Sequence, residues 1–428
     1  MRHTLLRLYR RLPLTSEFKA RLRYAVLRAL PWASPRAMRP GFDPSETALA
    51  PPVPGKSDWV IFGVIDWQLR LQRPQHLAIR LARAGHRVFY VSSNLVPAPG
   101  PGLRVEPLED SGRLFQIHLR ATGVPGIYYG LPGPKVVRQL TAGLRTLIDW
   151  SAARDIVLMV DHPFWLSTTE AVPDGLLVYD RMDYHAGFAE WSTSLASEED
   201  RLIRRAALTV VTSSWLEELT APLARSHTLV RTAADASHFA APCARPFADP
   251  GYSRVIGYYG AIAHWFDVEL IEAIARAFPD ALVLLIGHDQ IGLSARLSGS
   301  PNLRLIGEVP YADLPFYLHG FSVCLLPFHR IELTLATNPV KVYEYLAAGL
   351  PVVATALPEM SQFGDLVRIA SDREGWLQAV SSALHESADD PIRDQRRAFA
   401  ASQTWDMRAE ALTTAVAAVR NDADWRSP

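Results

Sequence analysis

Residues 336–355 read ATNPVKVYEYLAAGLPVVAT. Asn338-Pro339 reads as a helix N-cap followed by a proline at the first helical position, so a short helix is expected over about 339–348. Gly349 stops it, and Pro351-Val352-Val353-Ala354-Thr355 reads as a buried strand. Helical spacing separates two faces. Tyr343, Leu346 and Ala347 point toward a sheet, while Lys341, Glu344, Tyr345 and Ala348 form the other face. The second face carries a cation and a carboxylate one turn apart at the start of a helix. Free N–H groups and a lysine suit a phosphate, and a carboxylate one turn deeper suits sugar hydroxyls.

The same spacing also describes an i,i+3 Lys–Glu surface pair, worth a few tenths of a kcal/mol. Residue usage separates the two readings. The chain has four lysines (Lys19, Lys56, Lys135, Lys341) among 44 basic residues. Arginine is the default cation here, so a lysine at this spot points to a compact point charge for phosphate.

From Glu344 to Val353 the stretch resembles the donor-nucleotide element of GT4-type retaining glycosyltransferases of the GT-B fold. Their pattern is E-A-L/M-A-x-G-x-P-V-V, and Glu344-Tyr345-Leu346-Ala347-Ala348-Gly349-Leu350-Pro351-Val352-Val353 falls on it. The resemblance implies that Glu344 holds the nucleotide ribose and that Lys341 carries part of the diphosphate. A second glutamate of the family, eight positions earlier and facing the sugar, is Ala336 here, and Glu332 lies too far back for that slot.

Before this stretch the chain alternates strands and helices. Strands are expected over 255–260, 281–287, 303–307 and 322–327, with helices over 268–278 and 311–318. Such alternation predicts a parallel sheet covered on both faces. In the resembled family the loop after the first of these strands carries an arginine and a lysine that clamp the diphosphate. Those slots hold Ala261 and Phe266. Gly260 and His264, with Trp265 and Asp267, are what this loop offers instead. The terminal helices fall within 384–419, and by the resemblance they cross back to the first domain.

An earlier α/β series opens with the strand 59–65, a helix over 77–84 and the strand 87–91. Arg73-Pro74-Gln75-His76-Leu77-Ala78, followed by Gly85-His86-Arg87-Val88, is similar to the opening of the acceptor domain in bacterial members of the group. The segment 67–74 replaces the usual glycine-rich loop. Arg73, at a helix start, either reaches phosphate across a cleft or caps its own helix. Further strands are expected over 114–119, 156–161, 176–180 and 208–212. Ligands in open α/β sheets gather at the carboxyl ends of strands. Asp161-His162-Pro163 and Asp180-Arg181-Met182-Asp183 sit at two such ends. His162 and Asp183 are therefore candidates for acceptor binding or acid–base work, or else hydrogen-bonded loop residues. Trp165, Phe188 and Trp191 form a sugar-stacking wall or ordinary core. Asp235 and Phe239 resemble the turn that closes the family's first domain.

The expected organisation is a basic extension and linker (1–55), a Rossmann-like acceptor domain (56–239), a linker (240–252), a Rossmann-like donor domain (253–395), and a returning helix and tail (396–428). Arginines and Lys19 in residues 1–40 face the single acid Glu17 among interspersed leucines. Residues 1–30 read as an amphipathic helix for an anionic membrane, or as a solvated extension.

Formal net charge is zero, which argues against nucleic acid as a bulk partner. Two cysteines without metal spacing, Cys243 and Cys324, and no apolar run of about 18 residues fit a cytoplasmic protein, with peripheral contact at the inner face of the plasma membrane as a further expectation. No Walker loop, GxSxG or HExxH occurs, and Asp422-Ala423-Asp424 in the tail reads as solvated. No cofactor or metal is expected. The composite expectation is a metal-independent transferase. It would move a sugar from a nucleoside diphosphate sugar to a glycan or lipid-linked acceptor in cell-surface polysaccharide synthesis. The absent cations and glutamate favour an alternative, a catalytically silent GT-B scaffold in a polysaccharide-assembly complex. An epimerase would need a carboxylate–histidine cluster around the sugar.

Overall fold

Short β-branched and aromatic runs bounded by turn residues become strands buried on both faces. In the computed structural model the described residues are 47–98, 100, 102–188, 192–295 and 300–422. The basic extension, Trp191 and the tail beyond Asp422 lie outside them.

The first sheet contains β1 (Asp58–Phe62), β2 (Arg87–Val91), β3 (Leu103–Pro107), β4 (Leu114–Leu119), β5 (Val157–Val160), β6 (Leu176–Arg181), β7 (Leu208–Val211) and β8 (His227–Leu229). Their order is β3-β4-β2-β1-β5-β6-β7-β8, parallel except for β3 against β4. The second sheet contains β9 (Arg254–Tyr259), β10 (Ala281–Ile286), β11 (Leu303–Leu305), β12 (Val323–Leu326), β13 (Val352–Thr355) and β14 (Val367–Ala370). Its order is β11-β10-β9-β12-β13-β14, parallel throughout. Strand order reverses at β1/β5 in one sheet and at β9/β12 in the other, so each has a crevice at its carboxyl edge.

The helices used below are α1 (Arg73–Arg83), α2 (Pro134–Ser151), α3 (Thr193–Arg205), α4 (Ser214–Thr220), α5 (Val268–Ala277), α6 (Val340–Ala347), α7 (Arg373–Leu384), α8 (Ile392–Ala401) and α9 (Trp405–Asn421). α9 leaves the second domain and buries Trp405, Ala409, Leu412 and Val416 among Leu77, Ala78 and Leu81 of α1 and the underside of the first sheet. The Trp405 ring stacks on His76, centroids 4.8 Å apart and nearly parallel.

A polar seam joins the two domains. Ser213 donates to the Ala336 carbonyl at 2.6 Å. The Asn338 amide oxygen accepts the Thr232 N–H at 3.0 Å, and its nitrogen donates to Glu359 at 2.7 Å. Glu359, 2% exposed, also accepts from Ser214 and Arg231.

Two helix starts differ from the sequence expectation. α1 begins at Arg73, four residues before 77, because the Gln72 N–H donates to the Gln75 side chain and Pro74 lies in the first turn. α6 begins at Val340, with Pro339 outside it as the cap residue. Asn338 does not cap the helix, because Thr232 and Glu359 engage its side chain first. Tyr345 also leaves the polar face assigned to it. Its ring packs edge-on against Tyr259 at 5.0 Å, and its hydroxyl accepts the Tyr259 N–H at 3.3 Å.

Candidate active site

At the crevice of the second sheet the strand ends are stripped of side chains. Gly260 follows β9 with φ +142°, and Gly287 follows β10 with φ +156°. A Cβ on Gly287 would lie 1.7 Å from the Gly260 carbonyl oxygen, so only glycine permits this approach. A Cβ on Gly260 would lie 2.0 Å from Cε of Lys341. The lysine stem therefore lies directly over the end of β9, in the first turn of α6, with Nζ 6.0 Å from the Tyr258 ring centroid. Burial lowers the Lys341 pKa, the Glu344 charge raises it, and the Arg70 charge lowers it.

Glu344 lies one turn deeper, 6% exposed, and accepts a hydrogen bond from the Tyr259 hydroxyl at 2.7 Å. Burial raises its pKa to about 7, opposed by that hydrogen bond and by Lys341. Gly260, Lys341 and Glu344 thus come together. Tyr259 joins them unannounced, its only sequence signal being its place just before the strand-end glycine.

The slots that the resemblance reserves for the clamp are filled differently. Phe266 is 2% exposed and packs on Tyr258 at 4.8 Å, so this position belongs to the core. Ala261 accepts the Tyr258 hydroxyl on its carbonyl. Ala336 is fully buried beside Val211 and Leu216, so this position too belongs to the core. His264 is exposed on the same loop, edge-on to Trp265 at 4.9 Å. Asn338 and Pro339 belong to the seam and the helix entry described above.

In the first sheet, His162 follows β5 fully buried, and its Nδ1 accepts the Phe164 N–H at 3.2 Å. That leaves the proton of the neutral ring on Nε2. Burial, then the neighbouring His185, lowers its pKa to about 3. Tyr128 packs edge-on against His162 at 5.4 Å, and His185 does so from another side at 5.4 Å. Burial would raise Glu199, yet bonds and charge from His185, Arg181 and Tyr179 hold it at about 2. Asp183 is partly buried, and burial raises its carboxyl. Asp161 is fully buried, and burial followed by the charge of Asp180 raises it well above the carboxylate range. Trp165 is core, its ring against Phe62 at 5.6 Å.

Arg73 departs from the cross-cleft expectation. It is 6% exposed and forms a two-pronged pair with Asp180, Nε–Oδ2 2.8 Å and Nη2–Oδ1 2.9 Å, while Nη1 donates to the Arg231 carbonyl at 3.1 Å. It ties α1 to the end of β6. Arg70, three residues earlier, is the arginine that crosses, donating to Glu308 of the second domain at 2.7 Å.

Two doubly wound sheets with facing crevices and a terminal helix returning to the first domain constitute the GT-B fold. Residues 253–386 match the family of glycosyl transferases group 1. Over 254 residues, 54% of this chain, the protein is 27% identical to the putative teichuronic acid biosynthesis glycosyltransferase TuaH of Bacillus subtilis (strain 168); the match spans 64% of that relative. Among solved structures, sucrose-phosphate synthase from Thermosynechococcus elongatus superposes with TM-score 0.65 at 15% identity, covering 85% of this chain and 99% of that one. An E. coli trehalose-6-phosphate structure bound with UDP-2-fluoro glucose gives 0.63 at 11%, covering 87% and 99%. Anabaena HepE in complex with UDP and glucose gives 0.60 at 12%, covering 85% and 100%. At these identities the likeness is one of fold. Among the described residues no helix is long and apolar enough to cross a membrane.

Proposed function

We propose that the protein is a glycosyltransferase that moves a sugar from a nucleoside diphosphate sugar to a glycan or lipid-linked acceptor in cell-surface polysaccharide synthesis. The observation that carries this reading is the placement of Lys341 over side-chain-free Gly260 with Glu344 one turn deeper. In the transfer, the bond from the anomeric carbon to the diphosphate oxygen breaks, a bond to the acceptor oxygen forms, and the acceptor hydroxyl's proton passes to the leaving diphosphate. Negative charge grows on the leaving diphosphate, and Lys341 and the first N–H groups of α6 stand ready to stabilise it. Glu344 accepts from the ribose hydroxyls. His162, through Nε2–H, and Asp183 hold sugar or acceptor hydroxyls on the first domain. Retention at the anomeric carbon is part of the reading, and it follows from the family resemblance. The structural neighbours bound with UDP-2-fluoro glucose and with UDP and glucose support a nucleotide-sugar donor.

The missing cations at Ala261 and Phe266 favour a second reading, a scaffold of the same fold without catalysis. Binding and slow hydrolysis of UDP-, GDP-, dTDP- and ADP-sugars decide between them. The expected result is one nucleotide bound at micromolar affinity, weakened about tenfold or more by Lys341→Ala and by Glu344→Ala. A folded protein that binds none of the four supports the scaffold.

A further inference from the structure

The segment between β1 and α1 carries chemistry that the transferase reading has not used. It is a pinned loop. The Asp66 carboxylate accepts the Gln68 N–H at 3.0 Å, the Ser92 hydroxyl at 2.7 Å and the Gln116 amide at 2.9 Å. Fully buried Gln75 donates to the Arg70 carbonyl at 2.6 Å and accepts the Gln72 N–H at 3.2 Å. The backbone of Arg70 is therefore fixed from below, and its side chain extends from the first domain to Glu308 of the second. Glu308 directly follows Gly307, whose carbonyl accepts the Gly287 N–H at 2.8 Å. The Arg70–Glu308 pair thus spans the cleft beside the glycine-lined floor. Both side chains are about two-fifths exposed, at 38% and 40%.

We propose that Arg70 is a latch that exchanges Glu308 for the donor diphosphate, so that the first domain supplies a phosphate-binding cation that the loop after β9 lacks. This rests on the nucleotide-sugar reading above. Three observations support it. A solvent-exposed ion pair is weak, because water screens it, so Glu308 is an easily displaced partner. A guanidinium matches two phosphate oxygens at once, and a diphosphate carries more charge than a carboxylate. Arg70 also lies close enough for its charge to bear on Lys341, so two cations from opposite domains converge on one space. An anion between them would relieve that repulsion and draw the domains together. The ligand's bridge between Arg70 and Lys341 would then replace the weak Arg70–Glu308 pair.

The test uses the full chain and compares UDP, GDP, dTDP and ADP with their monophosphates. Arg70→Ala is expected to weaken the preferred diphosphate about tenfold and the matching monophosphate less than twofold. Glu308→Gln, which removes the competitor, is expected to strengthen diphosphate binding two- to fivefold. Thermal unfolding of both variants should match the wild type, since the pair is exposed. If a diphosphate binds and Glu344→Ala weakens it while Arg70→Ala does not, the latch is overturned and the donor site stands. A Glu308→Gln protein with unchanged or weaker diphosphate binding overturns the exchange. A wild-type protein that binds none of the diphosphates overturns both the latch and the transferase reading.

Discussion

In the proposed ribose-binding role, the protonation of Glu344 controls its use. With a pKa of about 7 it is half ionised at neutral pH, and the ionised form, with both oxygens as charged acceptors, binds hydroxyls more strongly. Affinity for a nucleoside diphosphate sugar is therefore expected to fall about tenfold between pH 8 and pH 6, following the ionised fraction. Glu344→Gln should flatten that profile, and titration calorimetry at fixed ionic strength measures both. The stability effect runs the other way. A carboxyl raised above its unfolded value of 4.5 takes up protons on folding, so its contribution to stability declines as pH rises from 4.5 through 7. The placement of Glu344 and Lys341 one turn apart was legible from their helical spacing. Tyr259 was not, because the hydroxyl that orients Glu344 comes from 85 residues away.

Among the elements, α6 depends on a residue outside it. Glu359 is 2% exposed and collects bonds from Ser214, Arg231, Asn338 and Gln362. Its carboxyl stays below the usual range, because bonds from Arg231 and Ser214 outweigh the burial that would raise it. Glu359→Ala leaves the buried Asn338 amide without that acceptor and Arg231 without a counter-charge. It should cost about 3 kcal/mol in urea unfolding, at the lower end for a broken buried pair because Arg231 is partly exposed. Asn338 precedes the first turn of α6, so donor affinity should fall with it. The apolar runs announced most strands to within a residue or two. β3 and β14 escaped because they are only half buried, and sheet-edge strands lack the continuous apolar run that marks a core strand.

At the scale of the whole molecule, the closing chain binds the second domain to the first. Trp405 is 1% exposed and stacks on His76, whose pKa burial lowers to about 3, so the ring partner is neutral. Trp405→Ala should destabilise the protein by about 3–5 kcal/mol, read from the denaturant midpoint, through the cavity left against α1. By itself the sequence determined two α/β series, the helix that carries Lys341 and Glu344, and the strands that end at the crevices, because hydrophobic period and glycines act locally. Only the tertiary structure decided that Arg73 pairs with Asp180 while Arg70 crosses to Glu308, that Asn338 serves the seam, and that Phe266 and Ala336 are core. Those outcomes depend on partners brought together from distant parts of the chain, 107 residues apart for Arg73–Asp180 and 238 for Arg70–Glu308, and no local pattern encodes which of two nearby arginines meets which acid.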